Sequence, residues 1–131
     1  MAATRIVLDS GVLSALAEGG RLGIALRRAV TTGSDVLVPT AVIAESTSGD
    51  HRLDTRVNRA LKLVTLVDLD ERIARSAAAL RHARKLRRAG TIDAIVVATA
   101  DVLPGTHVLT ADPDDLRSLA SIRGRTLIVP L

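Results

Sequence analysis

The chain contains no phenylalanine, tyrosine, tryptophan or cysteine among its 131 residues. Without cysteine it can form no disulfide, no thiolate nucleophile and no cysteine-bound zinc or iron–sulfur site. Without aromatic rings it cannot stack bases as RNA-recognition domains and OB-folds do. The core must therefore be aliphatic, and any contact with nucleic acid must use arginine, histidine and backbone groups.

Lysine and long apolar segments are also scarce. Lys62 and Lys85 are the only lysines, so nearly all of the positive charge behind the net charge of +4 is arginine. Arginine suits bidentate phosphate contacts, although a GC-rich genome would produce the same excess without any function. No apolar stretch reaches membrane-spanning length, and the N-terminus lacks a signal-peptide pattern. These absences predict a cytoplasmic protein with no membrane partner.

The hydrophobic pattern predicts one α/β domain over residues 1–131. Hydrophobic residues make up 47% of the chain and charged residues 24%, which is typical of a globular protein. Short runs rich in β-branched residues alternate with helical patterns, and no hairpin turns join them. The strands must therefore be joined by crossover connections, and this pattern predicts a three-layer α/β/α sandwich with a mostly parallel central sheet. The predicted strands are 6–8, 36–38, 63–67, 107–109 and 126–129, and the predicted helices are 11–17, 22–32, 40–48, 53–62, 70–88, 91–102 and 113–119.

Four carboxylates stand in unusually apolar surroundings. Asp9 ends the first strand in IVLDSGVL, and Asp112 follows the fourth strand in VLTADPDDL. Glu45 interrupts the apolar helix in VPTAVIAES, and Asp93 opens the apolar segment TIDAIVVATA. The ends of parallel strands and the helices that follow them share the sheet edge where ligands bind. A buried carboxylate is costly there unless it is paired with a cation or bound to a metal.

Each of these acids also has a structural interpretation. Asp9 and Asp112 can cap the helices that follow them, and Asp93 can complement a helix dipole. Glu45 lies too deep in its helix to cap it. Four converging carboxylates would repel one another unless a divalent cation lay between them, and an all-oxygen ligand set predicts Mg²⁺ or Mn²⁺. Asp115 is a secondary candidate beside the same strand end.

The four segments, in this order and at these distances, resemble those of PIN-domain ribonucleases, in particular the single-domain VapC-type toxins of toxin–antitoxin operons. The resemblance covers residues 6–129, essentially the whole chain. It implies that the same four acids form the catalytic and metal-binding set, and that Ser10 and Thr110 occupy hydroxyl positions lining it. It further implies a Mg²⁺-dependent endoribonuclease that leaves a 5′-phosphate, with a small antitoxin as partner and a homodimeric state.

A cationic helix face is the candidate RNA-binding surface. The segment RHARKLRR covers residues 81–88, and Arg81, Arg84, Lys85 and Arg88 share one side of it at helical spacing. Such a face can follow a phosphate backbone. A solvated helix surface explains the same pattern.

Two other functions and two surface assignments also come from the sequence. A receiver-like domain binds Mg²⁺ through acids, but it needs paired acids after its first strand, where Asp9 stands alone. In a non-catalytic α/β binding module the acids would only stabilise the fold. Asp54, in a polar stretch, is predicted to be a solvated surface group. The apolar helices around Val12, Leu16, Val42 and Ile43 are candidate dimer contact surfaces, which core packing explains equally well.

Overall fold

The computed structural model describes residues 5–84, 90–110 and 127–130. The strands are β1 (Arg5–Leu8), β2 (Asp35–Pro39), β3 (Thr65–Val67), β4 (Thr106–Thr110) and β5 (Leu127–Pro130). The helices are α1 (Ser10–Glu18), α2 (Arg21–Thr31), α3 (Thr40–Ser46), α4 (Thr55–Leu61), α5 (Glu71–Arg84) and α6 (Thr91–Asp101). All five predicted strands and six of the predicted helices are confirmed. The seventh, 113–119, lies outside the described residues.

The five strands form one parallel sheet in the order β3-β2-β1-β4-β5. The central strand is β1, where Val7 pairs with Leu37 on one side and Val108 on the other. Strands β2 and β3 extend the sheet in one direction, and β4 and β5 extend it in the other. The order therefore reverses between β1 and β4, and this switch point opens a crevice at their carboxyl ends. A receiver domain has the order 2-1-3-4-5, so the topology excludes that alternative.

The helices cover both faces of the sheet, as the sequence predicts. Right-handed crossovers place α1 to α4 on one face and α5 and α6 on the other. The packing agrees, because α1 contacts α2, α3 and α4 and α5 packs along α6; α3 also contacts α6. Within the described ranges, no helix is both long and apolar enough to cross a membrane.

The core is aliphatic, as the absence of aromatic residues requires. Helix α6 is buried continuously from Ala94 to Ala100 because it is apolar nearly all round. Val12 and Val42 are fully buried against this core. Leu16 is buried as well, so core packing, the alternative explanation, accounts for these three residues, whereas Ile43 is half-buried and stays a candidate dimer contact.

Candidate active site

Asp9 joins three elements at the switch point. It follows β1 directly and is the N-cap of α1, where its Oδ1 accepts a hydrogen bond from the backbone N–H of Val12 at 2.9 Å. Its Oδ2 accepts a hydrogen bond from the hydroxyl of Thr110, the last residue of β4. Asp9 is only 7% exposed and Thr110 is fully buried. The residue is therefore both the predicted cap and a carboxylate held between the ends of β1 and β4.

The charge of Asp9 is balanced by dipoles rather than by a cation. Neither ion pair found among the described residues involves it. The N-terminus of α1 places partial positive charge beside this carboxylate, and the Val12 N–H donates a hydrogen bond to it. An ionised carboxylate offers about four lone-pair sites, of which Val12 and Thr110 occupy two. Asp9 thus retains capacity for a further positively charged ligand.

Asp93 and Glu45 lie on two helices that contact each other, α6 and α3. Asp93 is half-buried in the first turn of α6, where its Oδ2 accepts a hydrogen bond from the backbone N–H of Gly90 at 3.3 Å. Its position at a helix N-terminus is confirmed, whereas its metal-binding role stays a prediction. Glu45 is exposed and belongs to the last turn of α3. The expectation that Glu45 is buried is wrong, because α3 ends at Ser46 and Glu45 is exposed in its last turn.

A metal site is not complete within the described part of the chain. Among those residues, no group of three or more acids and histidines lies close enough to hold a metal ion. Asp112 and Asp115 fall outside them, so the convergence of four acids stays a prediction. The donors that do meet, a carboxylate and a hydroxyl, are hard oxygen ligands, which fit Mg²⁺ or Mn²⁺ rather than a soft metal.

The remaining predicted residues are placed only in part. Ser10 is half-buried at the first position of α1. Arg81 is exposed on α5. The Arg84 side chain, Lys85 and Arg88 lie outside the described residues, so the cationic face stays a prediction.

Asp54 is a structural carboxylate, so the prediction that it is a solvated surface group is wrong. It is only 7% exposed. Its Oδ1 accepts from the backbone N–H and the hydroxyl of Ser48 at 2.8 and 2.9 Å, and its Oδ2 accepts from the Gly49 N–H at 2.9 Å. The contact reaches six residues back along the chain. This contact does not have the spacing of a helix cap, so the sequence gives no sign of it. It stabilises the loop between α3 and α4.

Asp54 is expected to stabilise the fold least in acid. The Ser48 backbone N–H holds the pKa of Asp54 below its ordinary value of 3.8, against the opposing effect of burial. A lowered pKa gives stability that is fully present above the unfolded value and is lost as pH falls through the folded value. Asp54→Asn replaces one carboxylate oxygen with an amide N–H group, which would face the N–H donors of Ser48 or Gly49. We expect it to lower the melting temperature near neutral pH.

The check is thermal unfolding of Asp54→Asn and wild type between pH 7 and pH 2. The difference in melting temperature should shrink as pH falls through 3.8 and below. The matched control is Asp68→Asn, which removes a charge at an exposed position. It should leave the melting temperature nearly unchanged throughout. A deficit for Asp54→Asn that is constant with pH would contradict the assignment.

Comparison with known proteins agrees with this fold. The family model described as PIN domain matches residues 6–122. No curated protein matches the chain. VapBC2 from Rickettsia felis, bound to a DNA fragment from its promoter, is similar with a TM-score of 0.77 and 9% identity, over 98% of this chain and 99% of that chain.

Two further solved structures are similar at somewhat higher identity. FitAcB from Neisseria gonorrhoeae gives a TM-score of 0.69 and 20% identity over 94% of this chain and 95% of that chain. A toxin–antitoxin complex from Klebsiella pneumoniae gives a TM-score of 0.68 and 24% identity over 95% of each chain. At these identities the structures show the shared fold, whereas the family model matches the sequence itself over most of its length. The chain therefore belongs to the PIN domain family.

Proposed function

We propose that this chain is a Mg²⁺-dependent endoribonuclease that hydrolyses phosphodiester bonds in RNA. The observation that carries the proposal is the buried Asp9 carboxylate, held by Thr110 at the crevice between β1 and β4. Parallel α/β sheets bind their ligands at this place. Membership of the PIN domain family supports the same chemistry.

The proposed ligands of the cation are Asp9, Glu45, Asp93 and Asp112. When bound, Mg²⁺ or Mn²⁺ lowers the pKa of a bound water and neutralises charge that develops on the phosphate. The chain's own part is to hold the carboxylates. Val12 and Thr110 fix the two oxygens of Asp9, and Gly90 fixes one oxygen of Asp93. Ser10 and Asp115 are secondary candidates for the same site.

The proposed reaction is hydrolysis in which water forms a bond to phosphorus and the 3′ oxygen leaves, so the product carries a 5′-phosphate. The direct experiment incubates purified protein with transfer, ribosomal and messenger RNA in Mg²⁺, in Mn²⁺ or in EDTA. Cleavage is expected with either cation and none is expected with EDTA. The product should be degraded by an exonuclease that requires a 5′-phosphate. Cleavage that is unaffected by EDTA would contradict the proposal.

A non-catalytic binding module is the second candidate. Both Asp9 oxygens accept hydrogen bonds from the fold itself, and the described residues contain no three-acid group that could hold a metal. In that case Mg²⁺ would not raise the melting temperature of the wild-type protein. A nuclease with a Mg²⁺ site gains stability by binding the cation, because the unfolded chain has no such site.

We further propose that the chain acts in the cytoplasm as the toxin of a toxin–antitoxin pair, as a single domain and a homodimer. The solved structures it resembles include a toxin–antitoxin complex. Expression of this chain alone should arrest growth, and co-expression of a small protein encoded beside it should restore growth. The Asp9→Asn chain is the control and should be harmless. Growth arrest by both forms alike would contradict a toxic nuclease.

A further inference from the structure

The outer side of α4 carries a line of positive charge that is distinct from the predicted face at residues 81–88. Arg56, Arg59 and the C-cap Lys62 follow one another at a spacing of three residues, which brings neighbouring side chains onto one side of a helix. Arg52 lies in the turn just before the helix. Between these cations, Val57 is half-buried and Ala60 is buried, so the apolar side of α4 packs inward. The cations of this line, here called the α4 basic stripe, are all exposed: Arg52, Arg56, Arg59 and Lys62.

No acid within the described residues forms an ion pair with the stripe. The two ion pairs found there join Arg5 to Asp35 and Arg75 to Glu71. Asp54, which lies between the first two cations of the stripe, is engaged with Ser48 and Gly49. Like charges at this spacing destabilise a helix. The stripe is therefore an uncompensated positive surface.

Two of the four cations stand at the unfavourable end of α4. Arg56 is the second residue of the helix, and Arg52 precedes its N-cap, Asp54. The N-terminus of a helix carries partial positive charge and disfavours cations. Arg59 and Lys62 lie at the C-terminal end, where a cation is favourable. Only the first pair thus works against the stability of the folded chain, which is typical of residues retained for binding.

We propose that the α4 basic stripe binds the phosphate backbone of the RNA substrate. This rests on the proposed function. Because α4 packs on α1, whose first turn is capped by Asp9, the stripe lies in the helix layer that begins at the candidate active site. Its four exposed cations, which have no ion-pair partner among the described residues, suit a polyanion. The exposed Leu53 lies beside Arg52 at the start of the stripe. Arginine in particular forms bidentate contacts with phosphate.

The test uses the full chain in EDTA, so that RNA is bound but not consumed, and a labelled single-stranded RNA as the probe. The variant Arg52→Gln/Arg56→Gln is titrated over a series of salt concentrations. We expect the slope of log affinity against log salt to fall by about 1.4, at roughly 0.7 per cation, and affinity to fall roughly tenfold. The melting temperature should stay the same or rise, which a structural role for these arginines would not allow.

The matched control is Arg27→Gln/Arg28→Gln, which removes two exposed charges from α2 in the same helix layer. It should retain the affinity and salt slope of the wild type. Equal losses in both variants, or no loss in either, would overturn the proposal. So would unchanged RNA binding together with lost binding of the small protein encoded beside this chain, which would make the stripe a protein-binding surface. If RNA binding depends on the stripe but no cation-dependent cleavage occurs, the stripe is an RNA-binding surface and the proposed nuclease function is wrong.

Discussion

Asp9→Asn is expected to lower the rate of Mg²⁺-dependent RNA cleavage by more than about a hundredfold, since even outer-shell partners of a metal site cost about ten- to a hundredfold. The substitution removes the charge but keeps a cap. Asparagine can still accept the Val12 N–H and caps helices as well as aspartate does. The Thr110 hydroxyl can turn and accept from the new amide. The folded structure should therefore survive with nearly its original melting temperature.

The measurement is the single-turnover cleavage rate at saturating Mg²⁺, with melting curves taken with and without the cation. Mg²⁺ should raise the melting temperature of wild type and not of Asp9→Asn. The control is Glu18→Gln, which removes one charge from the exposed C-terminal end of the same helix, α1. It should cleave at the wild-type rate. A folded Asp9→Asn protein that cleaves equally well would remove the basis of the nuclease assignment.

Thr110→Val is expected to lower cleavage about ten- to a hundredfold, the usual cost of losing an outer-shell partner. Valine fills the buried position but lacks the hydroxyl that donates to Asp9. The carboxylate would then be held by Val12 alone and would turn more freely. Thr110 is thus assigned as a positioning residue, acting through Asp9.

The decisive readout is the Mg²⁺ dependence of the rate. Thr110→Val should require more Mg²⁺ for half-maximal cleavage, whereas a variant that is merely less stable would keep the same requirement. Thr110→Ser retains the hydroxyl and should restore both the rate and the cation dependence. If serine and valine behaved alike, the hydrogen bond to Asp9 would have no part in positioning the carboxylate.

The elements were predictable because their signals are local. Each described strand and helix agrees with its predicted range to within two residues at every end that is described, apart from the distal end of α5, where description stops at Arg84. Side-chain periodicity and β-branched runs depend only on neighbouring residues. The positions of Asp9 and Asp93 at helix N-termini were predictable for the same reason, since Asp9 is the N-cap of α1 and Asp93 lies in the first turn of α6.

Three features could not be read from neighbouring residues. The exposure of Glu45 depends on where α3 ends and on how it packs against α1 and α6. Asp54 contacts Ser48 across a loop, and loop closure is a property of the folded chain. The spacing of the α4 basic stripe can be read from RLDTRVNRALK, but its exposure depends on how α4 packs against the rest of the fold.

The sequence by itself determined an aliphatic core, a parallel α/β sandwich, the absence of any thiolate ligand, and membership of the PIN domain family. The strand order was decided only by the tertiary structure. Each strand pattern shows that a segment is buried in a sheet, but not which strand lies beside it. The order β3-β2-β1-β4-β5 brings Thr110 to Asp9 from 101 residues away. That meeting depends on how the crossover helices pack, because the backbone hydrogen bonds of parallel strands are the same for any neighbour.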